Sequence, residues 1–128
     1  MAFTYRIDAD AGLLIIVSDE APMTQAERMD AMRAWMSDPL YRPGLDTLFD
    51  ITISPTVPSL AQLQEVAIYM DRRADAVGRK RIAVVTGTPV TYGVARQFQA
   101  LTDTGQLTVN IFSSRSDALG WLGRGDMG

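Results

Sequence analysis

Apolar Phe3, Tyr5 and Ile7 alternate with Thr4, Arg6 and Asp8, so residues 3–8 predict a strand with one wet face. Asp8-Ala9-Asp10-Ala11-Gly12 supplies turn residues, and the run Leu13 to Val17 predicts a second strand that closes an antiparallel hairpin with the first. The period then lengthens. Thr24-Gln25-Ala26-Glu27 has capping-box spacing, in which the Thr hydroxyl takes a backbone N–H and the Glu side chain reaches back to the cap. Met29, Met32, Trp35 and Met36 follow at helical steps until Asp38-Pro39, because the residue before proline is pushed out of the α region. That stripe is either the helix's core face or the lining of a ligand pocket, since thioethers fill irregular gaps.

Alternation returns at Leu45, Thr47, Phe49, Ile51 and Ile53, a third strand with Asp50 near its end. Ser54-Pro55-Thr56-Val57-Pro58 leaves the sheet, because two prolines remove two ladder donors. Ser59 caps the clearest helix: Leu60, Leu63, Ala67, Met70, Ala74 and Val77 recur at alternating steps of three and four, and Gly78 ends it. Gln62, Glu65, Asp71, Arg72 and Arg73 lie mostly off that stripe, so the helix covers one layer and turns its back to solvent.

Arg81-Ile82-Ala83-Val84-Val85-Thr86-Gly87 is apolar at successive positions, the pattern of a parallel strand covered on both faces, and is taken as the central strand. Gly87-Thr88-Pro89-Val90-Thr91 turns into a third helix from Thr91 or slightly earlier. Val94, Ala95, Phe98 and Leu101 are its buried stripe, and Thr104-Gly105 ends it. Leu107, Val109 and Ile111 alternate in a final strand, and Ser116 to Leu122 is a short last helix capped by Ser114 or Ser116.

The order is β-β-α-β-α-β-α-β-α. It predicts an α/β fold with a mixed, mostly parallel sheet of about five strands, joined by right-handed crossovers that place the helices mainly on one face. The other face, less covered, is a candidate dimer surface or ligand-facing surface. Residues 1–122 form a single domain on this reading; residues 123–128 are a flexible glycine-rich tail whose Arg124-Gly125-Asp126 triplet is a chance match.

Composition changes this picture chiefly by exclusion. Among 128 residues there is no cysteine and no histidine, which removes thiolate nucleophiles, disulfides, zinc sites built on Cys or His, and any Ser-His-Asp triad. No metal site and no cofactor are expected. A net charge of −3 argues against a nucleic-acid partner, and Arg79-Lys80-Arg81 with Arg72-Arg73 reads as the solvated end of a helix. Leu13 to Val17, the longest apolar run, is far below the ~20 residues that span a bilayer. With no secretory pattern at Met1 to Arg6, the expectation is a soluble, cytoplasmic protein without a transmembrane segment.

In open α/β sheets ligands bind beyond the carboxyl ends of the parallel strands. Those ends carry Asp50, Thr52, Thr86, Gly87, Thr88, Thr91 and Tyr92, the candidate ligand cleft, and both loops lead into helix N-termini where hydroxyls and N–H groups could meet an anionic group. Gly87 to Gly93 lacks the lysine and glycine spacing of a P-loop. Asp8, Asp10, Asp46, Asp50 and Asp103 give no pair that sequence alone can place together, so no catalytic residue is assigned.

Three stretches carry a family resemblance: Leu48-Phe49-Asp50-Ile51 followed after a loop by a helix, the strand Arg81 to Val85, and Phe112-Ser113-Ser114-Arg115-Ser116-Asp117-Ala118-Leu119-Gly120-Trp121-Leu122. Together with the element order, they resemble the SpoIIAA-like, or STAS, superfamily of anti-sigma-factor antagonists, across essentially the whole chain. The resemblance implies a bacterial regulatory module working by protein contact, with a homodimeric state and an anti-sigma-factor-like kinase as partner. It also implies a phosphoacceptor serine at the helix start after the third strand. The matching position is Ser59, candidate phosphoacceptor or plain N-cap; the family's flanking Asp and Gly are absent and Pro58 precedes it. The alternative is a carrier of a small apolar or lipid-like ligand, motivated by the Met and aromatic content and the uneven cover of the sheet. An enzyme, third, would have to work with Asp, Ser, Thr, Tyr and Lys80.

Overall fold

The alternation of the first eighteen residues becomes a hairpin in which β1 (Phe3–Asp8) pairs antiparallel with β2 (Leu13–Ser18), Tyr5 opposite Ile16. In this computed structural model, which describes residues 3–125, β3 (Asp46–Asp50), β4 (Lys80–Val85) and β5 (Leu107–Phe112) follow in parallel, giving the sheet order β1-β2-β3-β4-β5. The crossovers are α1 (Gln25–Met36), α2 (Leu60–Arg72) with the short α3 (Ala74–Val77), and α4 (Pro89–Thr102), and α5 (Arg115–Trp121) closes the chain. The expected α/β architecture is therefore the observed one. Among the described residues no helix is long and apolar enough to cross a membrane.

Register sorts the side chains into two layers. Ile16, Phe49, Val84 and Ile111 stand in one row across the sheet, and Ile15, Leu48, Ala83 and Asn110 in the next. The first row's face packs against α1, α2, α3 and α4 through Met29, Met32, Trp35, Val66, Val77 and Ala95. The second face packs against α5, where Ala118, Leu119 and Leu122 cover Leu13, Ile15, Leu48, Ala83 and Val85. Helices do lie mainly on one face. The less covered face, however, is not an apolar surface: its margins carry exposed Thr4 and Arg6 on β1 and exposed Thr108 and Asn110 on β5, because α5 takes up the apolar middle.

Several boundaries differ from the sequence reading. β4 is an interior strand with parallel neighbours on both sides, but β3 holds the middle of the sheet. β3 ends at Asp50, and Ile53 is exposed in the loop beyond. The second helix breaks at Arg73, whose φ of −117° and ψ of 35° leave the helical region while its guanidinium sits 3.8 Å over the Tyr69 ring. Helix α4 starts at Pro89, the slightly earlier start that the sequence reading allowed, since proline's fixed φ suits the first helical position and Thr88 caps it. Ser114, rather than Ser116, caps α5.

Gly78 ends α3 as expected but for a steric reason as well. Its φ is +75°, and a Cβ there would lie 2.4 Å from the Gly44 nitrogen, which donates to Val77 O at 3.0 Å. Of the expected flexible tail, Arg124 is tied down: it donates to Asp46 Oδ2 at 2.9 Å and to Ala11 O at 2.8 Å. Asp126, the last member of the Arg-Gly-Asp triplet, lies outside the described residues.

Candidate functional site

The residues expected to form a cleft are for the most part engaged with one another. Asp50 belongs to the α5 face; its carboxylate accepts from Arg115 Nη2 at 2.8 Å, Thr52 Oγ1 at 2.6 Å and Thr52 N–H at 3.0 Å. Burial pushes its pKa up, but the Thr52 and Arg115 donors outweigh this and hold it below the usual carboxylate value. Thr88 and Thr91 form a reciprocal cap: Thr88 Oγ1 accepts Thr91 N–H at 3.1 Å, and Thr91 Oγ1 accepts the N–H groups of Thr88 at 3.1 Å and Gly87 at 3.3 Å. Thr86 and Thr91 are buried, whereas Tyr92 stands exposed on α4.

Gly87 lies so close to Thr52 that a Cβ would sit 2.8 Å from its carbonyl oxygen, leaving no side-chain space between the two loops at that point. Ser59 caps a different helix: its Oγ accepts Gln62 N–H at 3.2 Å and its own N–H donates to Gln62 Oε1 at 2.9 Å. Thus Asp50 meets Thr52, Thr52 meets Gly87, and Gly87 joins Thr88 and Thr91, while Ser59 and Tyr92 stand outside that group.

A hollow lined mainly by apolar side chains lies elsewhere, between the sheet and the long helices. A cavity of about 120 Å³ runs there, with Leu14, Ile16, Phe49, Ile82 and Val84 as its sheet wall. Met32, Trp35 and Met36 of α1 and Leu63, Val66 and Met70 of α2 form the helix wall. Of the sequence's two readings of the Met29–Met36 stripe, the core face is observed, since Met29, Met32 and Trp35 are core residues, and Met32 and Trp35 also line the cavity.

One end of the cavity lies at the carboxyl ends of β2 and β3, under the two loops that follow them. Met23 N–H donates to Thr56 Oγ1 at 3.3 Å, joining those loops, and Ser18, Ser54 and Thr56 are the small polar groups there. Opposite, at the amino ends of β3 and β4, stand Thr47, Lys80, Val77 and Tyr41. The cavity thus reaches the carboxyl ends of β2 and β3 beneath the helices, apart from the group formed by Asp50, Thr52 and Gly87.

Two cations border this apolar space. Arg28, one turn into α1 and 8% exposed, donates from Nη1 to Gln25 Oε1 at 2.5 Å, and Gln25 Nε2 in turn donates to Gln62 O at 3.1 Å. Lys80, also 8% exposed, donates from Nζ to Thr47 Oγ1 at 3.0 Å, and burial lowers its pKa to about 8 against a smaller opposing pull from Asp46. Sequence reasoning passed over Arg28 and took Lys80 for part of a solvated helix end, whereas Lys80 is the first residue of β4 and is buried. The signals were present: Arg28, Met32 and Trp35 fall at helical steps on one face, and Lys80 shares the parity of Ile82 and Val84.

The remaining charge cluster is structural. Asp46 accepts Arg81 N–H at 3.0 Å through Oδ1, and Arg81 Nη2 and Arg124 Nη1 at 2.9 Å each through Oδ2, tying β3, β4 and the end of the chain together. Among the described residues no three acidic side chains converge as a metal site would require.

No protein-family model, curated protein or solved structure matches this chain.

Proposed function

We propose that this chain is a non-enzymatic binding module that holds a small apolar ligand between its sheet and its long helices. The observation that carries the reading is the cavity itself, walled by regular elements and lined almost wholly by apolar side chains. Its 120 Å³ is of the order of the about 150 Å³ that accepts benzene in an engineered core, so a ligand body of about six carbons is the scale that fits. Thioethers of Met32, Met36 and Met70 let the walls adapt to ligand shape. Native mass spectrometry of freshly purified protein should show a bound small molecule, and titration with six-carbon compounds should change the emission of cavity-lining Trp35. Neither a bound species nor any such response would end this reading.

A second reading, that of a STAS-like module acting by contact with a protein such as an anti-sigma-factor-like kinase, has its own support. Ile53, Val57 and Leu60, on the loop and helix start that hold Ser59, and Val90 and Tyr92, at the start of α4, are exposed at the sheet's carboxyl end, and exposed apolar groups of this kind mark contact surfaces. Replacing Val57 and Leu60 by Ser should then abolish self-association in sedimentation runs, if the homodimer implied by the STAS resemblance uses this surface. Identical sedimentation of both proteins as monomers removes that support.

A further inference from the structure

Arg28 is a fully ionised group that folding has placed where water scarcely reaches it. Arg28 lines the cavity, and among the described residues no carboxylate stands within ion-pair distance of its guanidinium. The neutral amide oxygen of Gln25 accepts one of its N–H groups. An arginine cannot shed its proton to escape such a position, and a buried charge without a counter-charge is costly. Of the small neutral groups at the carboxyl ends of β2 and β3, Ser18 Oγ and Ser54 Oγ already donate to Asp19 O and Thr56 O, while Thr56 Oγ1, which accepts Met23 N–H, keeps a proton to donate.

On the ligand-binding reading above, an apolar body fills the space between Trp35, Met32 and Val66, and its polar end meets this arginine. We propose that Arg28 is the head-group receptor of the cavity and that the ligand class is a small monocarboxylate, aliphatic or aromatic. The planar guanidinium fork matches a carboxylate in two parallel N–H···O bonds, a fit that a point charge such as an ammonium lacks. The small cavity sets the carbon count. Lys80, at the opposite end with Thr47 as its partner, is left as the floor of the site.

Hexanoate and hexan-1-ol share a chain and differ in the head group, so their dissociation constants, read from Trp35 fluorescence or calorimetry, isolate the effect. The wild-type protein should bind the acid about 10- to 100-fold more tightly than the alcohol, the range expected of a charge-assisted contact. Arg28→Gln should erase that preference by weakening hexanoate binding far more than hexan-1-ol binding, and Lys80→Met should keep it. Equal binding of acid and alcohol by the wild type would overturn the Arg28 assignment and leave the cavity reading standing, whether or not the variants fold. An acid preference lost in Lys80→Met but retained in Arg28→Gln would also overturn it. Absence of binding by both compounds would overturn the assignment and the reading beneath it.

Discussion

Lys80 Nζ donates to Thr47 Oγ1 at 3.0 Å, a contact between neighbouring parallel strands made inside the layer that the helices cover. Burial lowers the ammonium's pKa from 10.5 to about 8, so between those values the unfolded chain binds the extra proton. Stability should accordingly rise as pH climbs from about 8 to about 10.5, and at pH 7 the whole cost of the buried charge, about 3 kcal/mol, is present. Lys80→Met should raise the unfolding free energy at pH 7 by about 1–3 kcal/mol and flatten the rise above pH 8, while Thr47 keeps its 3.2 Å bond to Leu45 O. Urea titrations at pH 7, 9 and 10 measure this; parallel pH profiles for the two proteins would show that the ammonium is not strained by burial.

Asp46 carries the opposite dependence. Burial pushes its pKa up, but donors from Arg81 and Arg124 prevail and hold it below 3.8. Its contribution is present above the unfolded value and is lost as pH falls through the lower, folded one. Asp46→Asn keeps an acceptor for Arg81 N–H and removes the charge, so it should cost about 2 kcal/mol at pH 7, with the gap to wild type closing below about pH 4. A constant gap from pH 7 to pH 3 would assign the loss to packing instead.

Much of this fold was legible because each local signal agreed with the next. Thr24, Ser59 and Ser114 cap helices with their side chains, and the alternation at Phe3–Ile7 gives the wet face of the hairpin. The cavity was not legible in the same way. A hollow between Val66 and Ile82 depends on how far α2 stands off the sheet, which stripe periodicity does not encode. Arg28 was hidden by habit, since a cation near a helix start is ordinarily solvated, and only its step to Met32 and Trp35 turns it inward. At Thr88 and Thr91 the hydroxyls that suggested a ligand are engaged with the helix's own free N–H groups, a use that spacing alone does not distinguish.

The approach of Gly87 to Thr52 gives a sharper test of that closed junction. A Cβ at Gly87 would meet Thr52 O at 2.8 Å and Thr52 Cγ2 at 2.9 Å, and the first of these is backbone that cannot swing away. Gly87→Ala should therefore cost about 1–3 kcal/mol. Gly93 in α4, where an added Cβ meets nothing within 4 Å, supplies the contrast: Gly93→Ala should stabilise by about 0.5–1 kcal/mol through helix propensity. Thermal melts of both variants decide the matter, and equal melting temperatures would mean the two loops move apart freely.

Val66 offers the most direct way to separate a functional hollow from a packing defect. It is 6% exposed, sits on α2 and faces Leu14 and Ile16 across the cavity. Phenylalanine there adds four carbons and fills part of the cavity, so the apolar area it buries offsets the strain of fitting a ring, and stability should stay within about 1 kcal/mol of wild type. Val66→Ala, by contrast, enlarges the hollow and should cost about 1–3 kcal/mol, since the surrounding walls relax only partly. Binding should move the other way from volume: lost in Val66→Phe, retained in Val66→Ala, with a shift in preference toward a longer chain such as octanoate. A Val66→Phe protein that folds normally and still binds hexanoate as the wild type does would place the ligand outside this cavity, whatever its head group.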